Sequence, residues 1–415
     1  SESTPKYHAR ETALEVAKLY GASVVLGSAT PSLEAYYRAG RGEYRLFQLT
    51  KRLTGGELPT VYTVDLRQEL QEGNRSIFSR KLQELMTDRL NKGQQTILFL
   101  NRRGYAGFVS CRSCGEVMKC PHCDVSLSEH KGGRLICHYC GYTQPMPKLC
   151  PKCGSKYILG FKAGTQQIEE KLKELYPGVR TLRMDADTTR TKDSYEKILS
   201  SFANGEADVL IGTQMIVKGH DFPKVTLVGI LAADLSLNAS DYRAGERTFQ
   251  LLTQAVGRAG RGVLPGEAVI QTYQPDHYAI TCAAAQDYES FYQEEILYRE
   301  LSGYPPVAHM LAVQIYGKEE ENVKQLALRL TDVVKSNMDF LSGKQKEQSN
   351  KKIQVLGPAP ANISKINDIY RYVFYVKHAE YDVLVEVKDR LEETLRQWQP
   401  RQMSIQFDFD PVSVL

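Results

Sequence analysis

The 415-residue chain contains no run approaching the roughly 18 apolar residues that a membrane-spanning helix requires, so no membrane association is expected. Its first residues, Ser1-Glu2-Ser3-Thr4-Pro5, lack a basic stretch followed by an apolar one. No secretory leader is therefore expected, and the cytosol is the expected compartment. A G-x-x-x-x-G-K-[ST] sequence is missing throughout, as is any D-E-x-H. Nothing in the chain is thus expected to cradle the β- and γ-phosphates of a nucleotide or to hold its Mg2+. There is no internal repeat and no long low-complexity tract. Neither sign of charge dominates: 53 lysines and arginines against 49 acidic residues leave a formal +4, which by itself says little about partners. With 42% hydrophobic and 25% charged residues, a chain of this length has material for two to four globular domains at roughly 100 to 200 residues each.

What is present is unevenly placed. Residues 1 to 274 carry about +9 and residues 275 to 415 about −5, and residues 101 to 163 hold ten lysines and arginines against three acidic residues. Eight of the nine cysteines fall in that basic stretch as four C-x-x-C pairs, Cys111/Cys114, Cys120/Cys123, Cys137/Cys140 and Cys150/Cys153. A C-x-x-C turn brings two thiolates within reach of one tetrahedral ion, so four pairs make two closed four-cysteine zinc sites. Closed sites leave no position for water, which makes both Zn2+ ions structural. Two Zn(Cys)4 sites each carry a net −2, which brings the formal charge of the chain to about zero. Five residues separate the first two pairs and 13 separate Cys123 from Cys137, a comfortable hairpin. That spacing favours Cys120, Cys123, Cys137 and Cys140 nested inside Cys111, Cys114, Cys150 and Cys153, without excluding other pairings. His122 and His138 lie inside pairs already complete in sulfur and are expected to be bystanders. Cys282 stands alone beside three alanines and reads as a small buried residue.

Short apolar runs alternate with helical periodicity on both sides of the cysteines. Strands are expected at residues 23 to 26, 96 to 100, 179 to 184, 209 to 211, 227 to 231 and 268 to 271. Helices are expected around 168 to 175 and 246 to 256. Alternating strands and helices imply a parallel α/β sheet, with the cysteine segment inserted into it. Beyond residue 275, after helical stretches near 283 to 300, the order becomes β-α-β-β-α-β, with strands near 309, 353, 370 and 404. This is the split, ferredoxin-like arrangement of an α+β domain. Tyr370, Tyr372, Phe374 and Tyr375 could stack bases, but their placement in one strand favours core. Residues 342 to 352 read as an exposed polar loop.

Gln254-Ala255-Val256-Gly257-Arg258-Ala259-Gly260-Arg261 has the form Q-x-x-G-R-x-G-R, in which glycines keep the backbone open and two guanidinium forks can meet a transferring phosphoryl group. It resembles the sixth motif of superfamily 2 helicases. Gly212-Thr213-Gln214-Met215 with Lys218-Gly219-His220-Asp221 resembles the fifth motif, and Gly27-Ser28-Ala29-Thr30 the third, in the expected order. The strings GSATPSLE, ILFLNRRGYA, DADTT, IGTQMIVKGHDFP and GRAGR, with the spaced cysteines, resemble the primosomal protein N′ (PriA) family of replication-restart helicases along essentially the whole chain. Ala255-Val256 stands where that family usually has Val-Ala.

The resemblance implies a RecA-like second helicase lobe carrying the zinc module, followed by the ferredoxin-like domain, in a C-terminal portion of a longer ATP-dependent 3′–5′ DNA helicase. Residues 1 to 50 would be the end of the first lobe. Residues 51 to 108 and 155 to 274 would be lobe two, 109 to 154 the zinc insertion, and 275 to 415 a domain contacting branched DNA or partners. It also implies that Arg258 and Arg261 are catalytic and, with Gly219, Asp221 and Gln254, face ATP. Ser28, Ala29 and Thr30 would couple hydrolysis to motion, while Asn101, Arg102, Thr213 and Lys218 would touch DNA. The same resemblance supports the nested zinc pairing, and it implies ATP and Mg2+ in the full-length protein and a monomer at the nucleoid. Its partners would be forked and single-stranded DNA, single-strand DNA-binding protein and the primosome's helicase-loading proteins. This portion alone would lack ATPase activity. The competing reading is a zinc-ribbon adaptor on a degenerate helicase lobe, recruiting replication proteins without translocating.

Overall fold

The computed structural model describes residues 7–49, 58–100, 109–122, 125–130, 133–138, 140–159, 164–185, 188–189, 191–213, 222–239, 241–262, 264–336 and 352–412. The chain divides into two compact units. One comprises residues 47–301 with 359–363 and 413–415, and the other residues 1–46, 302–358 and 364–412. Among the described residues no helix is long and apolar enough to cross a membrane.

The larger unit is built on a six-stranded sheet. Its strands are β1 (Thr60–Asp65), β2 (Gln95–Leu100), β8 (Thr181–Met184), β9 (Val209–Gly212), β10 (Val225–Leu231) and β11 (Glu267–Thr272). Their order is β1-β11-β10-β2-β9-β8, and every pairing is parallel. Strands β2, β9 and β10 are buried along their whole length, as apolar runs in the middle of a sheet covered on both faces must be. Helix α4 (Arg80–Asn91) is capped by the Ser79 hydroxyl, which accepts from the Leu82 N–H. It lays Leu82, Leu85 and Met86 on a core that includes Leu98, Val209, Leu227 and Val269. Helices α5 (Thr165–Leu175), α6 (Lys192–Ala203), α7 (Asp234–Leu237) and α8 (Ala244–Val256) complete the alternation, and the short α3 (Leu66–Gln71) follows β1.

Helices α9 (Tyr278–Ala285) and α10 (Tyr288–Ser302) belong to this unit up to Leu301, so it runs past the boundary expected at residues 274 and 275. The reason is a buried junction with α8. Arg299, fully enclosed, pairs with Glu295 at 2.7 Å and with Glu246 at 3.2 Å, while Phe291 stacks on Phe249 with ring centroids 4.2 Å apart.

The cysteine segment emerges between β2 and α5. It forms a two-stranded ladder of β3 (Ser110–Cys111) with β7 (Ile158–Leu159), and a three-stranded antiparallel sheet of β4 (Ser128–His130), β5 (Arg134–Ile136) and β6 (Thr143–Pro145).

The second unit carries β12 (His309–Gly317), α11 (Glu320–Ser336), β13 (Gln354–Ile366), β14 (Ile369–His378), α12 (Tyr381–Trp398) and β15 (Met403–Phe409). The sheet order is β13-β14-β12-β15, with β12 antiparallel to both neighbours. Taken in chain order this is 2-3-1-4, the split βαβ arrangement expected from the sequence. Tyr372, Phe374 and Tyr375 are buried and Tyr370 packs on the same core, so these aromatics are structural. Residues 342 to 351 of the expected loop lie outside the described residues.

Helices α1 (Ala9–Tyr20) and α2 (Leu33–Gly40) also belong to this unit. Between them the strand expected at residues 23 to 26 does not form: the stretch has no regular structure, and Val25 is 92% exposed. A strand needs a ladder partner for its N–H and C=O groups, and among the described residues none runs beside it.

Candidate metal centre and arginine loop

Three of the four cysteine pairs read C-x-x-C-G, and the glycine explains the local fold. At Cys111, Cys137 and Cys150 the cysteine N–H donates to the carbonyl five residues on, at 2.7 to 2.8 Å, and its own carbonyl accepts from the glycine N–H at 2.8 to 2.9 Å. These turns close because Gly115, Gly141 and Gly154 adopt φ of 76°, 78° and 71°, which a side chain disfavours. Cys120 makes the same bond to Val125, at 2.8 Å. The knuckles face one another in pairs. The sulfurs of Cys111, Cys114, Cys150 and Cys153 all lie within 4.8 Å, as do those of Cys120, Cys137 and Cys140. Cys123, expected to be the fourth member of the second group, lies outside the described residues.

Sγ separations of 3.6 Å for Cys111–Cys153, Cys114–Cys150 and Cys120–Cys140 are close to the roughly 3.8 Å edge of a tetrahedron with Zn–S bonds of about 2.3 Å, so the sulfurs fit a closed zinc site. Burial pushes the Cys114 thiol up to about 12. At Cys150 burial is overcome by the N–H groups of Cys153 and Lys152, and the thiol falls to about 7. A divalent cation would relieve the cost of holding four thiolates together. His138 stays apart from the sulfurs. Its Nδ1 donates to the Pro360 carbonyl at 2.9 Å, its Nε2 lies 3.0 Å from Nε2 of His130, and burial pushes its pKa down to about 4.

The first knuckle rests on the carboxyl end of the parallel sheet, a contact that sequence reasoning missed. Arg67, held by Asp65 at the end of β1, extends Nη1 to 3.5 Å from the Cys114 carbonyl, and a Cβ on Gly115 would meet the Tyr273 carbonyl at 2.5 Å. Nearby Asp234 is buried. It accepts from the Tyr273 N–H at 2.9 Å and from the Thr272 hydroxyl at 2.9 Å, and burial pushes its carboxyl up to about 6. The available signal was its position directly after the apolar run that forms β10.

Arg258 and Arg261 follow the end of α8, where Gly257 N–H donates to the Thr253 carbonyl at 3.0 Å. Arg258 is half-buried, whereas Arg261 is exposed and its Nε donates to the Gly257 carbonyl at 2.8 Å; Gln254 is exposed. The loop is fixed by backbone contact. The Gly260 N–H donates to the Val225 carbonyl at 3.0 Å, and a Cβ on Gly262 would meet the Pro223 carbonyl at 2.6 Å. The arginine loop therefore lies directly against the chain that leaves residues 214 to 221. Thr213 directly follows β9, half-buried, its N–H 3.4 Å from the Met184 carbonyl. Asn101, Arg102, Lys218, Gly219 and Asp221 lie outside the described residues. In the other unit, Ser28 and Ala29 are exposed and Thr30 is buried, with the Ser28 hydroxyl accepting from the Thr30 N–H at 3.1 Å.

The larger unit thus has the fold of a helicase C-terminal lobe with a Cys-rich zinc region. Comparison with known proteins agrees: residues 149–263 match the family described as Helicase conserved C-terminal domain, residues 120–145 the PriA DNA helicase Cys-rich region domain, and residues 300–412 the Primosomal protein N C-terminal domain. Among curated proteins, the Replication restart protein PriA of Bacillus subtilis is 44% identical over 100% of this chain and 50% of its own length. Those of Synechocystis and Treponema pallidum are 41% and 36% identical over 100% of this chain and 49% and 60% of their own lengths. The chain is thus similar to a C-terminal portion of the PriA proteins, and it spans about half the length of the curated relatives it matches. A likeness to the Pyrococcus furiosus Hef helicase domain is slight, at 18% identity and a TM-score of 0.22 over 49% of this chain and 27% of that one.

Proposed function

We propose that the chain supplies the second motor lobe, the zinc platform and the C-terminal domain of an ATP-dependent 3′–5′ DNA helicase that recognises stalled or branched replication forks and initiates primosome assembly. The observation that carries this reading is the arginine loop. Two guanidinium groups stand on a loop whose glycines are packed backbone against backbone, an arrangement that holds Arg258 and Arg261 for a developing phosphoryl charge. In this reading Gly219, Asp221 and Gln254 complete the ATP-facing set, and Ser28, Ala29 and Thr30 couple hydrolysis to motion. Asn101, Arg102, Thr213 and Lys218 hold the DNA strand. The two structural zinc ions sit on Cys111, Cys114, Cys150 and Cys153, and on Cys120, Cys123, Cys137 and Cys140. ATP and Mg2+ bind with a phosphate-cradling lobe that these residues do not contain. The basic insertion engages forked and single-stranded DNA. Single-strand DNA-binding protein and helicase-loading proteins are the protein partners, and the protein acts as a cytoplasmic, nucleoid-associated monomer. The domain limits follow the sequence reading, with lobe two extended through α10.

The test is DNA-stimulated ATP hydrolysis by the full-length protein with Arg258→Ala and Arg261→Ala. Each variant is expected to lose at least about a hundredfold in turnover while keeping its zinc. Turnover untouched by either substitution would sink the motor and leave the zinc-ribbon adaptor as the better account.

A further inference from the structure

The sequence string Tyr7-His8-Ala9-Arg10 has no part in the reading above, yet its arginine is tied to the segment assigned to coupling. Arg10 stands in the first turn of α1, with its side chain only 18% exposed. Its guanidinium spans two partners at once: Nε donates to Glu11 Oε1 at 2.9 Å, and Nη1 donates to the hydroxyl of Ser32, 22 residues further on. Ser32 is the N-cap of α2, where its hydroxyl also accepts from the Ala35 N–H. Glu11 uses its other oxygen to accept from Arg38 Nη1 at 3.0 Å, and Arg38 reaches the Tyr44 hydroxyl at 2.8 Å. The first turn of α1 therefore grips α2 at its start through Ser32 and in its last turn through Arg38.

Ser32 is joined to Thr30 by Pro31, whose ring fixes the backbone between them. Thr30 is 6% exposed, and its N–H closes a turn onto the Ser28 hydroxyl. On the other side residues 22 to 27 have no regular structure. The Ser28–Thr30 segment is accordingly anchored from its C-terminal side, through a rigid proline to a hydroxyl held by Arg10. We propose that Arg10 is a positioning residue that holds the Ser28–Thr30 segment through Ser32, so that hydrolysis is converted into strand movement. This rests on the motor reading. A guanidinium is needed because an ammonium cannot hold Glu11 and Ser32 simultaneously in a fixed fork.

The test uses the full-length protein, with ATP hydrolysis on single-stranded DNA and opening of a labelled forked duplex measured side by side and expressed as base pairs opened per ATP. Arg10→Ala and Ser32→Ala are each expected to leave hydrolysis within about threefold while lowering base pairs per ATP about tenfold. The double variant should be no worse than either single one, because both substitutions break one link. Ser32→Thr, which keeps a hydroxyl, should restore the ratio, and Arg10→Lys should not. If Arg10→Ala does not fold, the contrast between Ser32→Ala and Ser32→Thr decides alone. An unchanged ratio in Ser32→Ala, or losses that multiply in the double variant, overturns the proposal. If Arg258→Ala abolishes hydrolysis in the same assays, such a result removes this inference and leaves the motor reading intact.

Discussion

The parallel sheet and the cysteine insertion belong to the same compact unit but are held together by different physics. Strands β2, β9 and β10 are buried throughout, and with α4 and α5 they share a continuous apolar core. Among the described residues of the insertion no strand exceeds three residues, and its order comes from knuckles that converge their sulfurs. A sheet of that size cannot order itself by burying a few side chains such as Leu127 and Leu135, so metal ligation has to supplement that small core. The two regions meet at the first knuckle, where Val117 enters the sheet's core and Gly115 abuts Tyr273. The second set of sulfurs is carried by Cys120 and by Cys137 and Cys140, which lie in the connection between β5 and β6.

The largest expected effect comes from removing zinc. Apparent binding free energies of structural zinc are on the order of 10 kcal/mol, so a strong chelator should unfold the insertion while the parallel sheet survives. Hydrogen exchange read by mass spectrometry should show β4, β5 and β6 losing protection and β2, β9 and β10 keeping it. Metal analysis of Cys140→Ser should show one ion lost of two, with the exchange confined to β4–β6. Cys114→Ser should also lose one ion but loosen the seam at Tyr273. Equal loss of protection in the insertion and in the parallel sheet would end the distinction between metal-held and burial-held regions.

The converse substitution comes next in size. Leu98 is completely enclosed in the middle of β2, and Leu98→Ala is expected to cost about 3 kcal/mol in chemical denaturation of the sheet. Zinc content should stay at two per chain under native conditions. A variant that sheds zinc in proportion to its lost stability would mean that the sheet, not the sulfurs, holds the insertion.

The same contrast governs what could be read from sequence. C-x-x-C spacing is a local signal: one residue type, a fixed interval and a following glycine specify a knuckle with no knowledge of distant contacts. Alternation of apolar runs likewise revealed β2, β9, β10 and β11, and the C-terminal β-α-β-β-α-β order, because a buried strand in such a sheet is apolar along its whole length. Strand β1 escaped because Thr60-Val61-Tyr62-Thr63-Val64-Asp65 is an edge strand whose residues are half-exposed, so its pattern is diluted. Residues 23 to 26 misled for the opposite reason, since apolar composition cannot show whether a ladder partner is at hand. The arginine loop was legible as a string of residues, whereas its seating on Pro223 and Val225 is a product of sheet order, which no local pattern encodes. Asp234 and Arg10 show the same limit: a buried carboxylate and a helix-to-turn link acquire their meaning only from residues 38 to 39 and 22 positions away.

The smallest effect is expected at the seam itself, where Asp234 holds the N–H of the residue whose carbonyl meets Gly115. Burial pushes its carboxyl up from 3.8 to about 6, against the opposing N–H of Tyr273 and hydroxyl of Thr272 and with help from the nearby Asp65 carboxylate. The folded chain therefore retains a proton there that the unfolded chain releases at lower pH. Its stabilising contribution is full below about pH 4 and is lost as pH rises through about 6, with a ceiling of about 3 kcal/mol for a shift of this size. Asp234→Asn removes the titration but keeps an oxygen to accept from Tyr273. Urea denaturation of both proteins from pH 4 to 8 should thus show the wild type losing stability relative to the variant between about pH 4 and 6, with the difference levelling off above about pH 7. A difference that is flat throughout would place the Asp234 carboxyl in contact with water, and the seam would then be a looser junction than the enclosed one described here.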